Sequence, residues 1–192
     1  MTMPHFLDLG RGTWLWTSYA TGRTFFFILH CTQSRHFTIS FRVYVINELQ
    51  QYVTVLNINP ETGTLSVPPT LSNEISYTVD GAADNDAQYG AEIALTEDGK
   101  TLYVSHRNYD GFGAIVVFSV EDGIQFLSQV QDTSTSGSNP RFFTVVGQHV
   151  LVADQFGNFI DVFKGDPEDL GKLTLVSSTI GGLAPTCLTV IA

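Results

Sequence analysis

Leu102-Tyr103-Val104-Ser105-His106-Arg107, then Ile115-Val116-Val117-Phe118, then Glu121-Asp122-Gly123 leading into Gln125-Phe126-Leu127, is the stretch that decides the fold. It reads as two β-branched, apolar strands joined by a glycine-bearing turn and followed by a third strand. The same plan occurs before and after it. Upstream stand Val43-Tyr44-Val45-Ile46-Asn47-Glu48, Val53-Thr54-Val55-Leu56 and, past the turn Pro60-Glu61-Thr62-Gly63, Thr64-Leu65-Ser66. Downstream stand Leu151-Val152-Ala153-Asp154-Gln155, Ile160-Asp161-Val162-Phe163 and, past Asp166-Pro167-Glu168, Lys172-Leu173-Thr174-Leu175.

Equivalent positions Tyr44, Tyr103 and Val152 lie 59 and 49 residues apart. The second spacing suits the period of about 40 to 50 residues of four-stranded propeller blades. The first is lengthened by the polar stretch Asp80 to Gln88, which reads as a loop. Each repeat opens with a further strand: Ser34-Arg35-His36-Phe37, Ala91-Glu92-Ile93-Ala94 and Pro140-Arg141-Phe142-Phe143. Pro185-Thr186-Cys187-Leu188, with Thr189-Val190-Ile191 after it, reads as a fourth opening. The expected fold is all-β: a propeller fragment of about three four-stranded blades plus a closing strand, over residues 35–192. Residues 1–34, with two Trp and the run Phe25-Phe26-Phe27, form an atypical segment outside the repeat. In a propeller the opening strand of each blade lines the central channel, so chemistry is expected where these strands converge.

Composition agrees with short strands and turns. Of the 192 residues 43% are hydrophobic, 12% aromatic and only 15% charged. Nine Lys and Arg against 19 Asp and Glu give a formal charge of −10, which disfavours nucleic acid and anionic membrane surfaces as partners. Cys31 and Cys187 form no CxxC pair, which fits a reducing compartment and a cytoplasmic location. The apolar burst Phe25 to Leu29 is too short for a membrane span, which needs about 20 residues. No order of basic and apolar residues near the start reads as a secretion signal. Neither a metal nor a cofactor is expected. Asp80, Asp84 and Asp86 lack the spacing of a calcium loop, Gly111-Phe112-Gly113 sits in a hairpin rather than at a helix start, and there is no GxSxG elbow.

The strings Tyr44-Val45-Ile46-Asn47-Glu48-Leu49, Asn59-Pro60-Glu61-Thr62-Gly63-Thr64-Leu65, Asp98-Gly99-Lys100-Thr101-Leu102-Tyr103 and Asn139-Pro140-Arg141-Phe142 resemble the seven-bladed lactonase family. That family groups propeller-type 6-phosphogluconolactonase with fungal 3-carboxy-cis,cis-muconate lactonizing enzyme. The resemblance implies the last three of seven blades. It departs at Gln33-Ser34-Arg35-His36-Phe37-Thr38, where the family's Gly-Pro entry and His-Pro turn are absent.

The resemblance further implies a channel site of Arg, His and Glu. Carried over residue by residue, Glu92, His36 and Arg141 are the catalytic candidates, and Arg35, Arg107 and Arg141 the substrate-binding ones. Arg107 occupies the corner equivalent to Glu48, so those two could instead pair across adjacent blades. Cys187, by its repeat position, could face the channel. Guanidinium groups hold carboxylate or phosphate oxygens, while Glu and His exchange protons with a lactone or alkene. The implied activity is metal-independent hydrolysis of an anionic sugar lactone. The alternatives are a muconate cyclase, an isomerase using the same residues, and a non-catalytic propeller fragment acting as a binding or interaction module; under any of them the chain is expected to self-associate through exposed blade faces.

Overall fold

The computed structural model describes residues 7–8, 13–20, 23–33, 39–59, 61–68, 74–80, 88–120 and 127–191, with side-chain positions from Arg42 onward. The described strands form antiparallel sheets built from neighbours in sequence. The first joins β1 (Leu7–Asp8), β2 (Thr13–Ala20), β3 (Arg23–Gln33), β4 (Ile39–Ile46), β5 (Tyr52–Ile58) and β6 (Leu65–Ser66), with β7 (Glu74–Ser76) also pairing β5. The second joins β8 (Gln88–Leu95), β9 (Thr101–Asn108), β10 (Ala114–Val120) and β11 (Leu127–Ser134). The third joins β12 (Pro140–Val146), β13 (His149–Asp154), β14 (Phe159–Asp166) and β15 (Lys172–Ile180).

Strand β10 shows how sequence makes this stack. Every residue of β9 and β10 is buried, because a sheet covers each face. Side chains alternate between the two faces. Val116 and Phe118 enter a core with Tyr44, Val53 and Val55 of the first sheet, while Ile115 and Val117 enter one with Phe143, Val152 and Phe163 of the third. Emptying one such position is costly: Phe118, with 0% exposure, is worth roughly 3–5 kcal/mol against Ala. On one side of the stack β8 lies against both β3 and β12, and on the other β11 lies against β15. These are successive propeller blades packed face to face around an inner line of strands.

The sequence expectations meet the structure at several places. The closing strand is not formed: residues 181–191 contain no strand. The third sheet draws its four strands from β12 to β15, and 185–191 join none of its ladders. The expected opening strand Ser34 to Phe37 lies outside the described residues; β4 pairs with β3. The outer edge of the first sheet is split between the two short strands β6 and β7, and Pro68, just after β6, brings no backbone N–H to a ladder. In the expected loop, Asp80 is in a turn with its N–H donating to Asp132 Oδ2 at 2.8 Å, 81–87 lie outside the described residues, and Gln88 already belongs to β8. No helix among the described residues is long and apolar enough to cross a membrane.

Candidate active site

The inner strands β8 and β12 both carry a register break close to their first residues. In β8, Gly90 pairs with His106 and Ile93 with Val104, so Ala91 and Glu92 together oppose Ser105. In β12, Pro140 pairs with Asp154 and Phe142 with Ala153, leaving Arg141 as the extra residue. Such a bulge re-aims side chains without disturbing the rest of the ladder. Two sequence-predicted residues, Glu92 and Arg141, therefore occupy equivalent irregularities on adjacent strands.

Glu92 is 5% exposed. Its N–H donates to Ser105 Oγ at 2.9 Å, and its Oε1 accepts the Ile93 N–H at 3.1 Å. Burial disfavours the carboxylate and raises the Glu92 carboxyl to about 7, with the Ile93 N–H pulling weakly the other way. A carboxyl that titrates near neutrality can both take and return a proton. Arg141 is exposed and has no hydrogen-bond or ion-pair partner among the described residues, so its guanidinium is available to an anion.

Arg107 is engaged differently. Its Nη2 donates to Glu48 Oε1 at 2.7 Å and to the Gly90 carbonyl at 3.0 Å, and its Nη1 to Tyr109 Oη at 3.3 Å. The guanidinium also lies 5.4 Å from the centre of the Tyr89 ring. Of the two readings open for Arg107, this geometry is that of the inter-blade pair with Glu48. Arg35 and His36 lie outside the described residues. Cys187 is an exposed free thiol on a segment without strand structure.

Residues that sequence reasoning missed surround this site. His106, 0% exposed, stands edge-on to Tyr77 with ring centres 5.7 Å apart and its Nδ1 3.5 Å from Tyr77 Oη. Burial, and then the Arg107 charge, hold its pKa down to about 4, so it is neutral. Asp154 accepts the N–H groups of Asn139 and Gly157 and the Thr135 hydroxyl, and Asp161 accepts the Ser136 N–H at 2.7 Å. Both carboxylates thereby shape the 135–139 loop that delivers Arg141. Their only sequence signal is an Asp inside an otherwise apolar strand. No cluster of His, Cys, Asp or Glu among the described residues could hold a metal ion. An open cavity of about 590 Å³ between the second and third sheets includes Asp98, Lys100, Gln148 and Glu168, at the far end of β8 and β12 from Glu92 and Arg141.

A family model described as lactonase, 7-bladed β-propeller, matches residues 32–190. The chain belongs to this lactonase family. It is 33% identical over 148 residues to the 6-phosphogluconolactonase of Bacillus subtilis, covering 76% of this chain and 39% of that one. To the 6-phosphogluconolactonase of Formosa agariphila it is 36% identical over 123 residues, covering 60% and 34%. The chain thus spans between a third and two fifths of these relatives' length. Among solved structures it is similar to a periplasmic gluconolactonase of Pseudomonas aeruginosa, with TM-score 0.64, 25% identity, and coverage of 79% of this chain and 39% of that one. A Lactobacillus plantarum protein shares the fold at TM-score 0.64 and 20% identity, over 96% and 62%.

Proposed function

We propose that this chain supplies part of the catalytic wall of a metal-independent hydrolase of sugar lactones, with an anionic substrate of the 6-phosphogluconolactone kind. The observation that carries the reading is Glu92: a buried carboxyl on an inner strand, raised to about 7 and set in a bulge next to the one that presents Arg141. The relatives' names and the family membership support the substrate class.

In this reading the Glu92 carboxylate takes a proton from water as the water oxygen attacks the lactone carbonyl. Arg141 stabilises the oxyanion of the tetrahedral intermediate, or an anionic group of the substrate. When the intermediate collapses, the ring C–O bond breaks and Glu92 returns its proton to the departing oxygen, leaving a hydroxy acid. Arg107 acts at one remove, holding the Gly90 carbonyl two residues before Glu92. Arg35 and His36 complete the proposed set on the strength of the family resemblance.

The reading also places the reaction in the reducing cytoplasm, which the free thiol of Cys187 suits. Nucleic acid and membrane are not proposed partners for a chain of charge −10. Leu175, Val176 and Ile180 on β15 are 48%, 57% and 79% exposed, and we expect self-association through this sheet, visible in light scattering as species larger than a monomer.

The test is ring opening of 6-phosphogluconolactone and glucono-δ-lactone, followed by proton release above the spontaneous rate. Glu92→Gln should lower the catalysed rate by about 10²- to 10⁴-fold, the usual contribution of an acid–base group. A Glu92→Gln rate equal to the unmodified chain's would overturn the catalytic assignment, and an equal Arg141→Ala rate would overturn the role given to Arg141.

A further inference from the structure

Three aromatic rings run in unbroken contact across the junction of the second and third sheets. Tyr89 lies edge-on to Tyr109 with ring centres 5.5 Å apart, and Tyr109 meets Phe156 at 5.5 Å with the planes tilted by 45°. Tyr89 stands near the start of β8, Tyr109 follows β9, and Phe156 sits in the turn between β13 and β14. Tyr109 is 41% exposed and Phe156 56%, although aromatic rings of this size gain most from burial. The strip is not a stray patch on a far surface. Tyr89 lies three residues before Glu92 on the same strand, and the 109–113 loop that carries Tyr109 packs Gly113 against Pro140, the neighbour of Arg141.

Polar groups edge the strip. Arg107, under Tyr89 and bonded to the Tyr109 hydroxyl, brings the Glu48 carboxylate, whose side chain is 39% exposed. An aromatic surface bordered by a carboxylate and phenolic hydroxyls matches a cyclic polyol: C–H bonds on the ring's face and O–H groups at its rim. A long aliphatic chain would offer no hydrogen bond to the open side of the Glu48 carboxylate or to the phenolic O–H groups, and an inorganic anion would gain nothing from the rings.

We propose that Tyr89, Tyr109 and Phe156 form a stacking platform for the six-membered ring of a sugar lactone at the mouth of the site that holds Glu92 and Arg141. The assignment rests on the lactonase reading for the identity of the substrate, and gives that substrate a ring-binding subsite separate from the reacting groups. It makes the platform a determinant of affinity rather than of the chemical step.

The test uses the whole chain with two unreactive probes: methyl β-glucoside, which has the six-membered ring without the lactone carbonyl and is followed by proton NMR, and inorganic phosphate, followed by phosphorus NMR. Methyl β-glucoside should show saturable upfield shifts of its ring C–H protons, which only aromatic ring currents produce. Tyr109→Leu and Phe156→Leu keep apolar bulk at exposed positions and should each weaken this binding by roughly three- to tenfold, the size of one aromatic contact. Phe156→Tyr should restore it, and circular dichroism should show unchanged strand content throughout. Phosphate should bind without ring-current shifts and be indifferent to both Leu variants. Absence of upfield shifts, or equal affinity in the Leu variants, overturns the platform even if lactone hydrolysis stands. Stacking that persists in Glu92→Gln while hydrolysis is unaffected by that change overturns the catalytic assignment and leaves the platform in place.

Discussion

The Arg107 guanidinium donates to the Glu48 carboxylate at 2.7 Å, and this one contact joins the end of β9 in the second sheet to the turn after β4 in the first. The two side chains differ in burial, 5% exposed for Arg107 and 39% for Glu48. Glu48→Gln leaves a nearly buried guanidinium short of its anion, but the half-open carboxylate is partly screened by water. A loss of about 1–2 kcal/mol is expected. Arg107→Ala also gives up the Gly90 and Tyr109 contacts and should cost more. Urea unfolding of both variants checks the order.

Glu92 sets a pH dependence of stability. Its carboxyl titrates at about 7 in the folded chain against 4.5 ordinarily. Between those values the folded state binds more protons than the unfolded state, so stability falls as pH rises, by up to roughly 3 kcal/mol, and levels off above about 7. Glu92→Gln should remove this contribution and be the more stable form at pH 8. Denaturant midpoints measured from pH 4.5 to 8 test it; parallel curves for the two proteins would contradict it.

His106 works in the opposite sense. Its folded value of about 4 lies below the ordinary 6.5, so the unfolded chain takes up the proton first and stability is lost as pH falls through that interval. Across most of the same window Glu92 and His106 oppose one another. The unmodified chain should therefore look nearly indifferent to pH near 5 to 6, Glu92→Gln should lose stability as pH falls through that range, and His106→Gln should gain it. A His106→Gln chain whose stability stays flat between about pH 5 and 6 would sink this account.

Gly171 adopts φ +76°, and a Cβ there would meet Thr101 Oγ1 at 2.5 Å. Its carbonyl accepts the Tyr103 hydroxyl at 2.8 Å, which latches the third sheet to the second. Gly171→Ala should cost about 1–3 kcal/mol through backbone strain and the displaced latch, read as a lowered Tm. Tyr103→Phe should cost about 1–2 kcal/mol by leaving that carbonyl unpaired.

The fold was legible because apolar alternation survives translation into burial. Leu102, Val104, Val116 and Phe118 on one side, Tyr103, Ile115 and Val117 on the other, are the periodic pattern itself. Glu92 stood out as a carboxyl in an apolar strand opening, and the pairing of Glu48 with Arg107 was open to view as one reading of equivalent corners. The aromatic strip was not visible. Tyr89, Tyr109 and Phe156 are far apart in the chain and meet only once the register of two sheets is set. Nor could the bulges be read, since an extra residue changes register without changing composition. The closing strand was misjudged because strand propensity at Thr189-Val190-Ile191 says nothing about whether a ladder edge awaits it.

Every hydrogen-bonded ladder of the second and third sheets joins strands that follow one another directly along the chain. Each sheet can therefore assemble during synthesis as soon as its own residues have left the ribosome, with no need to wait for distant sequence. Only the contacts between sheets, such as Tyr103 with Gly171, require the next unit to be present. A molecule made this way grows like a stack of cards dealt in order, and its last card keeps one face uncovered until another is laid on it.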